Sequence, residues 1–279
     1  MKELLIISGL SGSGKSTAAR VLEEQGFRVV EAIPASIIPT YMDYFASAKA
    51  DKEVLVVPID EAKEVIEAAK ATGKAEIDVL LLYCSKKELL TRFRLTRHNH
   101  PFEMVGLSLE DAIERDIEYY QEARPLADQV IDTSGLAASD LRRMLFLLVG
   151  QDTGKVKVLL SSFGYKYGVP EDADIIFDTR IVPNPFWEKE LSDLNGNDQP
   201  VIDFLEAKPT AHLVFKEMVH YLDFYLSESA RDHKGSLSIY VGCTGGQHRS
   251  VYFVNKLFEE YKNKYECVVV HRNLNRDSD

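Results

Sequence analysis

Residues Gly9-Leu10-Ser11-Gly12-Ser13-Gly14-Lys15-Ser16 follow the apolar run Leu4–Ile7 and precede a helix-like segment, Thr17–Gln25. A strand, a glycine-rich turn ending in Gly-Lys-Ser and a helix, in that order, form the phosphate-binding P-loop pattern. The glycines let backbone N–H groups turn inward around phosphates, the Lys15 ammonium reaches β and γ oxygens, and the Ser16 hydroxyl joins a Mg²⁺ shell. The following helix presents its positive end to the same anion. A glycine turn of no special purpose needs neither Lys and Ser after its last glycine nor a strand and helix around it. The expected ligand is ATP or GTP with Mg²⁺, cradled by Gly9, Leu10, Ser11, Gly12, Ser13 and Gly14. Lys15 and Ser16 are then the candidate catalytic contacts, and Ser16 the candidate metal ligand.

At 279 residues the chain is long enough for two domains with separate cores. No stretch has the apolar length of a bilayer span, and Met1-Lys2-Glu3 runs straight into a strand, so a cytoplasmic protein without membrane contact is expected. Cys84, Cys243 and Cys267 are too few and scattered for a disulfide framework or a metal site. A net charge of −11 argues against bulk electrostatic binding of nucleic acid and leaves a local basic patch for that task.

Apolar β-rich runs at Glu3–Ser8, Phe27–Glu31, Val54–Ile59, Val79–Cys84 and Gln129–Asp132 alternate with helical patterns. These helices are expected at Lys15–Gln25, Glu61–Ala71, Lys86–Arg97, Leu109–Arg124 and Ser139–Leu148. The alternation predicts an α/β fold: an N-terminal P-loop NTPase-like, doubly wound parallel sheet, followed by a second, C-terminal α/β domain. Val79-Leu80-Leu81-Leu82-Tyr83 has the continuous apolar character of a parallel strand covered on both faces. The polar, glycine-flanked stretch Gly150–Lys155 sets the expected boundary, giving domains 1–150 and 151–279. In the second, strands are expected at Val156–Ser161, Ile175–Thr179, Leu237–Val241 and Cys267–His271, and helices at Ala211–Leu226 and Arg249–Tyr265.

Two further clusters carry chemistry. Arg92, Arg94, Arg97, His98 and His100 either fold over phosphates, as arginines do in P-loop kinases, or form a solvated face near a helix C-terminus. Helical spacing cannot aim all of the arginines at one ligand. The second cluster is Cys243-Thr244-Gly245-Gly246-Gln247-His248-Arg249-Ser250, again between a strand and a helix, which is a ready anion site. Cys243, Gly246, Arg249 and Ser250 also fit the Cys-x-x-Gly-x-x-Arg-Ser/Thr loop of cysteine-dependent phosphatases, in which a thiolate attacks phosphorus. The general acid of such an enzyme would come from Asp172, Asp174, Asp178 or Asp203. Binding of a phosphorylated ligand needs only the glycines, Thr244, His248, Arg249 and Ser250, so both readings stay open.

Taken together, the chain resembles the RapZ/YvcJ family of P-loop nucleotide-binding proteins, some of which act as RNase adapters in bacteria. The resemblance runs through Gly9–Thr17, Thr96–Pro101, Ala127–Leu136, Ser162–Gly168, Asp172–Asp174, Phe177–Arg180, Pro183–Pro185 and Gly242–Val251. It implies binding and slow hydrolysis of ATP or GTP by the first domain. It also implies a regulatory second domain that in some members binds small RNAs and a phosphorylated amino sugar. Where the family carries Asp-Asn before Leu-Pro, this chain has Glu31-Ala32-Ile33-Pro34, and where it carries an Asp-x-Arg-Ser segment associated with GTP, this chain has Asp60-Glu61-Ala62-Lys63. Only Asp60 is retained there, which weakens the case for guanine use and points to nucleotide binding with weak turnover. From Lys155 to Asp279 there are fifteen Lys and Arg against nineteen Asp and Glu, and residues 273–279 hold no basic cluster, whereas an RNA-binding tail concentrates positive charge. The expected partners are nucleotide, a phosphorylated metabolite and either a small RNA or a regulatory protein, in a homo-oligomer. A small-molecule kinase and a phosphatase at Cys243 and Arg249 remain the alternatives.

Overall fold

The computed structural model describes residues 2–48, 50–96, 98–149, 156–231 and 236–274. Arg97, the Gly150–Lys155 stretch and the terminal residues 275–279 lie outside the described residues. The chain divides into two compact units, Met1–Ser134 and Gly135–Asp279.

In the first unit the apolar runs form strands β1 (Glu3–Gly9), β2 (Arg28–Glu31), β3 (Lys52–Val56), β4 (Glu76–Tyr83) and β5 (Gln129–Asp132). They make one sheet of order β2-β3-β1-β4-β5, and every neighbouring pair is parallel. The intervening helices are α1 (Lys15–Glu24), α2 (Ile38–Ser47), α3 (Ile59–Thr72), α4 (Lys86–Thr96) and α5 (Leu109–Ala123). Leu4 and Ile6 of β1, Leu55 of β3 and Leu81 of β4 meet Phe45, Ile66 and Ile113 of the helices in one buried cluster. This is the doubly wound parallel sheet read from the alternation, with the P-loop at the C-terminal end of its central strand, where such sheets bind ligands.

Two local differences have physical causes. The pattern reading assigns no element between Glu31 and Val54, yet α2 is there, with Ile38, Tyr41, Met42 and Phe45 buried at helical spacing. Pro34 and Pro39 obscure it in sequence, although proline in a first helical turn is compatible with a helix. Strand β3 stops at Val56, short of the expected Ile59, because Pro58 has no N–H for the ladder and instead opens α3.

The second unit holds strands β6 (Lys157–Gly164), β7 (Ile175–Asp178), β8 (Ser236–Cys243) and β9 (Glu266–His271) in a parallel sheet of order β7-β8-β6-β9. Helices α6 (Ala138–Val149), α7 (Gln199–Glu206), α8 (Pro209–Arg231) and α9 (Arg249–Tyr261) complete it. The unit boundary falls before α6, which packs on β6 and β9, whereas the boundary read at 150 follows the polar stretch in the chain. Helix α9 lies across β6, β8 and β9 through the buried Phe253, Val254 and Leu257. Among the described residues no helix is long and apolar enough to cross a membrane.

One partly buried group ties this sheet to pH. The His271 ring, whose Nδ1 lies 2.9 Å from Ser162 Oγ, is pushed down to about 4, first by burial and then by the Arg143 guanidinium. Between pH 6.5 and 4 the unfolded chain binds a proton at this ring that the folded chain does not, so stability falls as pH falls through that window. The full loss is about 3 kcal/mol. Urea unfolding at pH 7 and pH 4.5 is expected to show a larger drop in the native protein than in His271→Gln; equal drops would count against this account.

A P-loop cavity and a cysteine-arginine loop

The P-loop geometry begins with a close approach. Gly9 has φ 147° and pairs in register with Leu82 of β4, and a Cβ built on it would overlap the Leu82 carbonyl oxygen. The turn then leads through Gly14 into α1, whose first turn carries no acidic side chain, so its positive end is left for a ligand. Lys15 Nζ donates to the carbonyls of Gly9 (2.7 Å) and Leu10 (3.1 Å). Burial lowers this ammonium to about 8, against the opposing pull of Asp116 and Asp60.

Lys15 and Ser16 open on a cavity of about 370 Å³ that is also lined by Ser11, Glu31, Asp60 and Asp116. The structure thus brings Asp60, in the first turn of α3, to the cavity that Lys15 lines, near enough for its charge to act on the ammonium. Ala32, where the resembling family has Asn, keeps the left-handed backbone (φ 55°) that Asn tolerates well and alanine does not.

The basic cluster is dispersed. Arg92 Nη1 donates to the carbonyl of Gly12 (3.0 Å) and Nη2 to that of Thr133 (2.6 Å), so this arginine braces the loop from behind. Arg94 and His98 are exposed, and His100 is fully buried. Thr133, outside the P-loop motif but within the Ala127–Leu136 segment, donates from Oγ1 to the Ser13 carbonyl at 2.8 Å. Asp116 is likewise outside the motif: its Oδ2 accepts the Ser11 backbone N–H at 2.5 Å.

In the second unit, Cys243 ends β8 and Arg249 opens α9, as the strand-loop-helix pattern requires. The Cys243 Sγ accepts the Gly246 N–H at 3.2 Å and lies 3.2 Å from Ser250 Oγ. Gly246, at φ 74°, makes the turn, and the loop seats so closely on Gly164 that a Cβ there would lie 2.6 Å from the Gly245 carbonyl carbon. Arg249 is buried, and its Nη1 donates to the carbonyls of Val182 (2.9 Å) and Arg180 (3.2 Å). Nη2 reaches Thr244 Oγ1 at 3.3 Å, and Nε has no hydrogen-bond partner. Burial lowers the Arg249 guanidinium from its ordinary value. His248 lines the same cavity as Cys243 and Arg249, with its Nε2 3.0 Å from the Leu191 carbonyl, and burial lowers its ring as well.

Cys243, Thr244 and Arg249 face a cavity of about 1070 Å³ whose rim carries Lys166, Arg180 and the exposed Trp187. Lys166 sits 4.7 Å over the Tyr167 ring and Arg180 4.0 Å over the Tyr165 ring, so these tyrosines carry the rim cations. None of the four aspartates read as possible acids lines this cavity, and of the four only Asp178 stands close enough to Arg249 for their charges to interact. Asp172 bonds Tyr240 Oη, Asp174 accepts the Ser238 N–H, Asp203 accepts from Gln199, and Asp178 is chelated by Arg180, which holds its carboxyl below the usual range. Among the described residues no group of three or more His, Cys, Asp or Glu side chains is arranged to hold a metal ion.

The comparisons with known proteins cover both units. Residues 2–152 match the RapZ-like N-terminal domain and residues 156–275 the RapZ C-terminal domain. A protein of Pseudothermotoga lettingae named nucleotide-binding protein is 38% identical over 99% of this chain and 100% of its own length. Proteins of the same name from Thiobacillus denitrificans and Hahella chejuensis are 36% and 34% identical, each over 98% of this chain and 99% of theirs. With both domains matched in order and relatives aligned end to end, the chain belongs to the RapZ family.

Proposed function

We propose that this chain is a nucleotide-binding regulatory protein: its first unit binds ATP or GTP with Mg²⁺ and hydrolyses it slowly, and its second unit binds a phosphorylated ligand at the Cys243–Ser250 loop. The observation that carries the first half is the convergence of Lys15, Ser16 and Asp60 on one cavity at the uncompensated N-terminus of α1. The relatives' shared name supports the same reading. The donor set suits Mg²⁺, since Ser16, Asp60 and Glu31 offer hard oxygen atoms to the cavity. A cation held jointly by one or two protein oxygens and the phosphates needs no all-protein cage. When bound, Mg²⁺ neutralises charge on the transferring phosphoryl group. Lys15 binds the terminal phosphate oxygens, and the loop N–H groups orient the chain of phosphates. Asp60 lines the same cavity as Lys15, which supports a phosphate or metal role for it.

For the second unit, the Arg249 guanidinium, which lines the cavity, is the group on which an anion would dock, with Lys166 at the rim. The acidic balance of this unit favours a small phosphorylated metabolite or a regulatory protein over RNA. The contacts of Gly246 and Ser250 on Cys243 Sγ favour one second reading, thiolate catalysis on a phosphomonoester.

Phosphate release from Mg·ATP and Mg·GTP by the intact protein tests the first half: slow release of nucleoside diphosphate and phosphate in equal amounts is expected, and none from Lys15→Ala. Diphosphate formed without free phosphate would point to transfer onto an acceptor, the kinase reading. Cys243→Ser separates the readings of the second unit, since ligand binding survives it and hydrolysis of p-nitrophenyl phosphate does not.

A further inference from the structure

Helix α5 buries Ala112, Ile113, Tyr120 and Ala123 on one face, and at the centre of that face stands Asp116, 2% exposed. A carboxylate at a position where helical spacing calls for a hydrophobe costs several kcal/mol unless it is compensated, and such departures collect at functional sites. Its compensation comes from the P-loop itself, since Oδ2 accepts the Ser11 N–H at 2.5 Å. The same oxygen lies 3.2 Å from the buried His100 Nε2, which has no hydrogen bond elsewhere and is paired with this carboxylate. His100 Nδ1 accepts the Phe102 N–H at 3.2 Å, which leaves the proton of a neutral ring on Nε2.

Asp116 also lines the cavity shared by Lys15 and Ser16, and of the charges acting on Lys15 it is the strongest. It therefore sits at the end of the site to which Lys15 draws the terminal phosphate. Its Oδ1 takes part in none of these contacts. We propose that Asp116 is the general base of nucleotide hydrolysis, receiving a proton from the attacking water, and that His100 is the positioning residue that holds it.

This inference rests on the reading of the first unit as a nucleotide hydrolase. In the step, the water oxygen bonds to the terminal phosphorus while the bond from that phosphorus to the bridging oxygen breaks. Nucleoside diphosphate leaves with the electron pair, and the water proton passes to Asp116 Oδ1 and then to solvent as phosphate departs. The opposite role is a plug, in which Asp116 only repels the terminal phosphate.

The two roles separate in single-turnover phosphate release and in calorimetric affinity for Mg·ATP, measured on the full chain and its variants. Asp116→Asn is expected to bind within about threefold of the native affinity and to release phosphate about a hundredfold more slowly or worse. His100→Ala is expected to lower kcat about tenfold at unchanged KM, with partial rescue in His100→Gln, which keeps an N–H donor. Should Asp116→Asn fail to fold, Asp116→Ser gives the same readout. Native turnover in Asp116→Asn, or tighter binding with faster release, would overturn the base role and leave the hydrolase reading standing. A native protein that binds Mg·ATP and releases no phosphate would overturn both.

Discussion

Gly9→Ala is expected to cost the first unit on the order of 4 kcal/mol, more than any other addition of one methyl group to the P-loop. The added carbon would overlap the backbone of Leu82, the residue paired with Gly9 across β1 and β4, and neither strand can shift without disturbing the sheet centre. The φ of 147° adds backbone strain of its own. Far-ultraviolet circular dichroism should show an early urea transition for this unit. The fluorescence of Trp187, the chain's one tryptophan and part of the second unit, should unfold near its native midpoint. A native circular dichroism profile in the variant would contradict the geometry.

Arg249→Met is expected to separate stability from binding in the second unit. The buried guanidinium is held below its ordinary pKa by desolvation and keeps one N–H without a partner, which is unfavourable to the fold taken alone. Methionine fills similar volume without charge, and the lost bonds to Val182 and Arg180 carbonyls roughly offset the relief, for a net change on the order of 1 kcal/mol. Affinity for inorganic phosphate, by contrast, should fall on the order of a hundredfold, because a charge-assisted fork has been removed. A variant that binds phosphate normally but melts far earlier would make Arg249 a purely structural residue.

The extent to which sequence foretold this protein follows from how its contacts are spaced. The P-loop, β1 and α1 are contiguous, so Gly9 to Ser16 announces both the fold and the site, and the strand-helix alternation gives the parallel sheet. The Cys243–Ser250 loop is legible for the same reason. Asp116 is not legible in this way, because it reaches Ser11 across 105 positions and no short motif spans that distance, and His100 is legible only as a member of the basic cluster. The signal that existed was negative: an acidic residue on the apolar face of α5. The basic cluster leaves two readings open, and helical spacing separates its members as expected, with Arg92 at the P-loop backbone and Arg94 at solvent. Helix α2 was hidden by prolines that in fact lie before it and in its first turn. Trp187 and Lys166 meet at one cavity only after β6 and the segment following β7 are brought together.

The central claim, that the first unit binds a nucleoside triphosphate through Lys15, is tested most directly by calorimetric titration of Mg·ATP and Mg·GTP into the intact protein and into Lys15→Ala. Saturable binding of at least one nucleotide to the intact chain, lost in Lys15→Ala, is the predicted result. Absence of binding by either nucleotide at millimolar concentration, or equal binding by the variant, would contradict it.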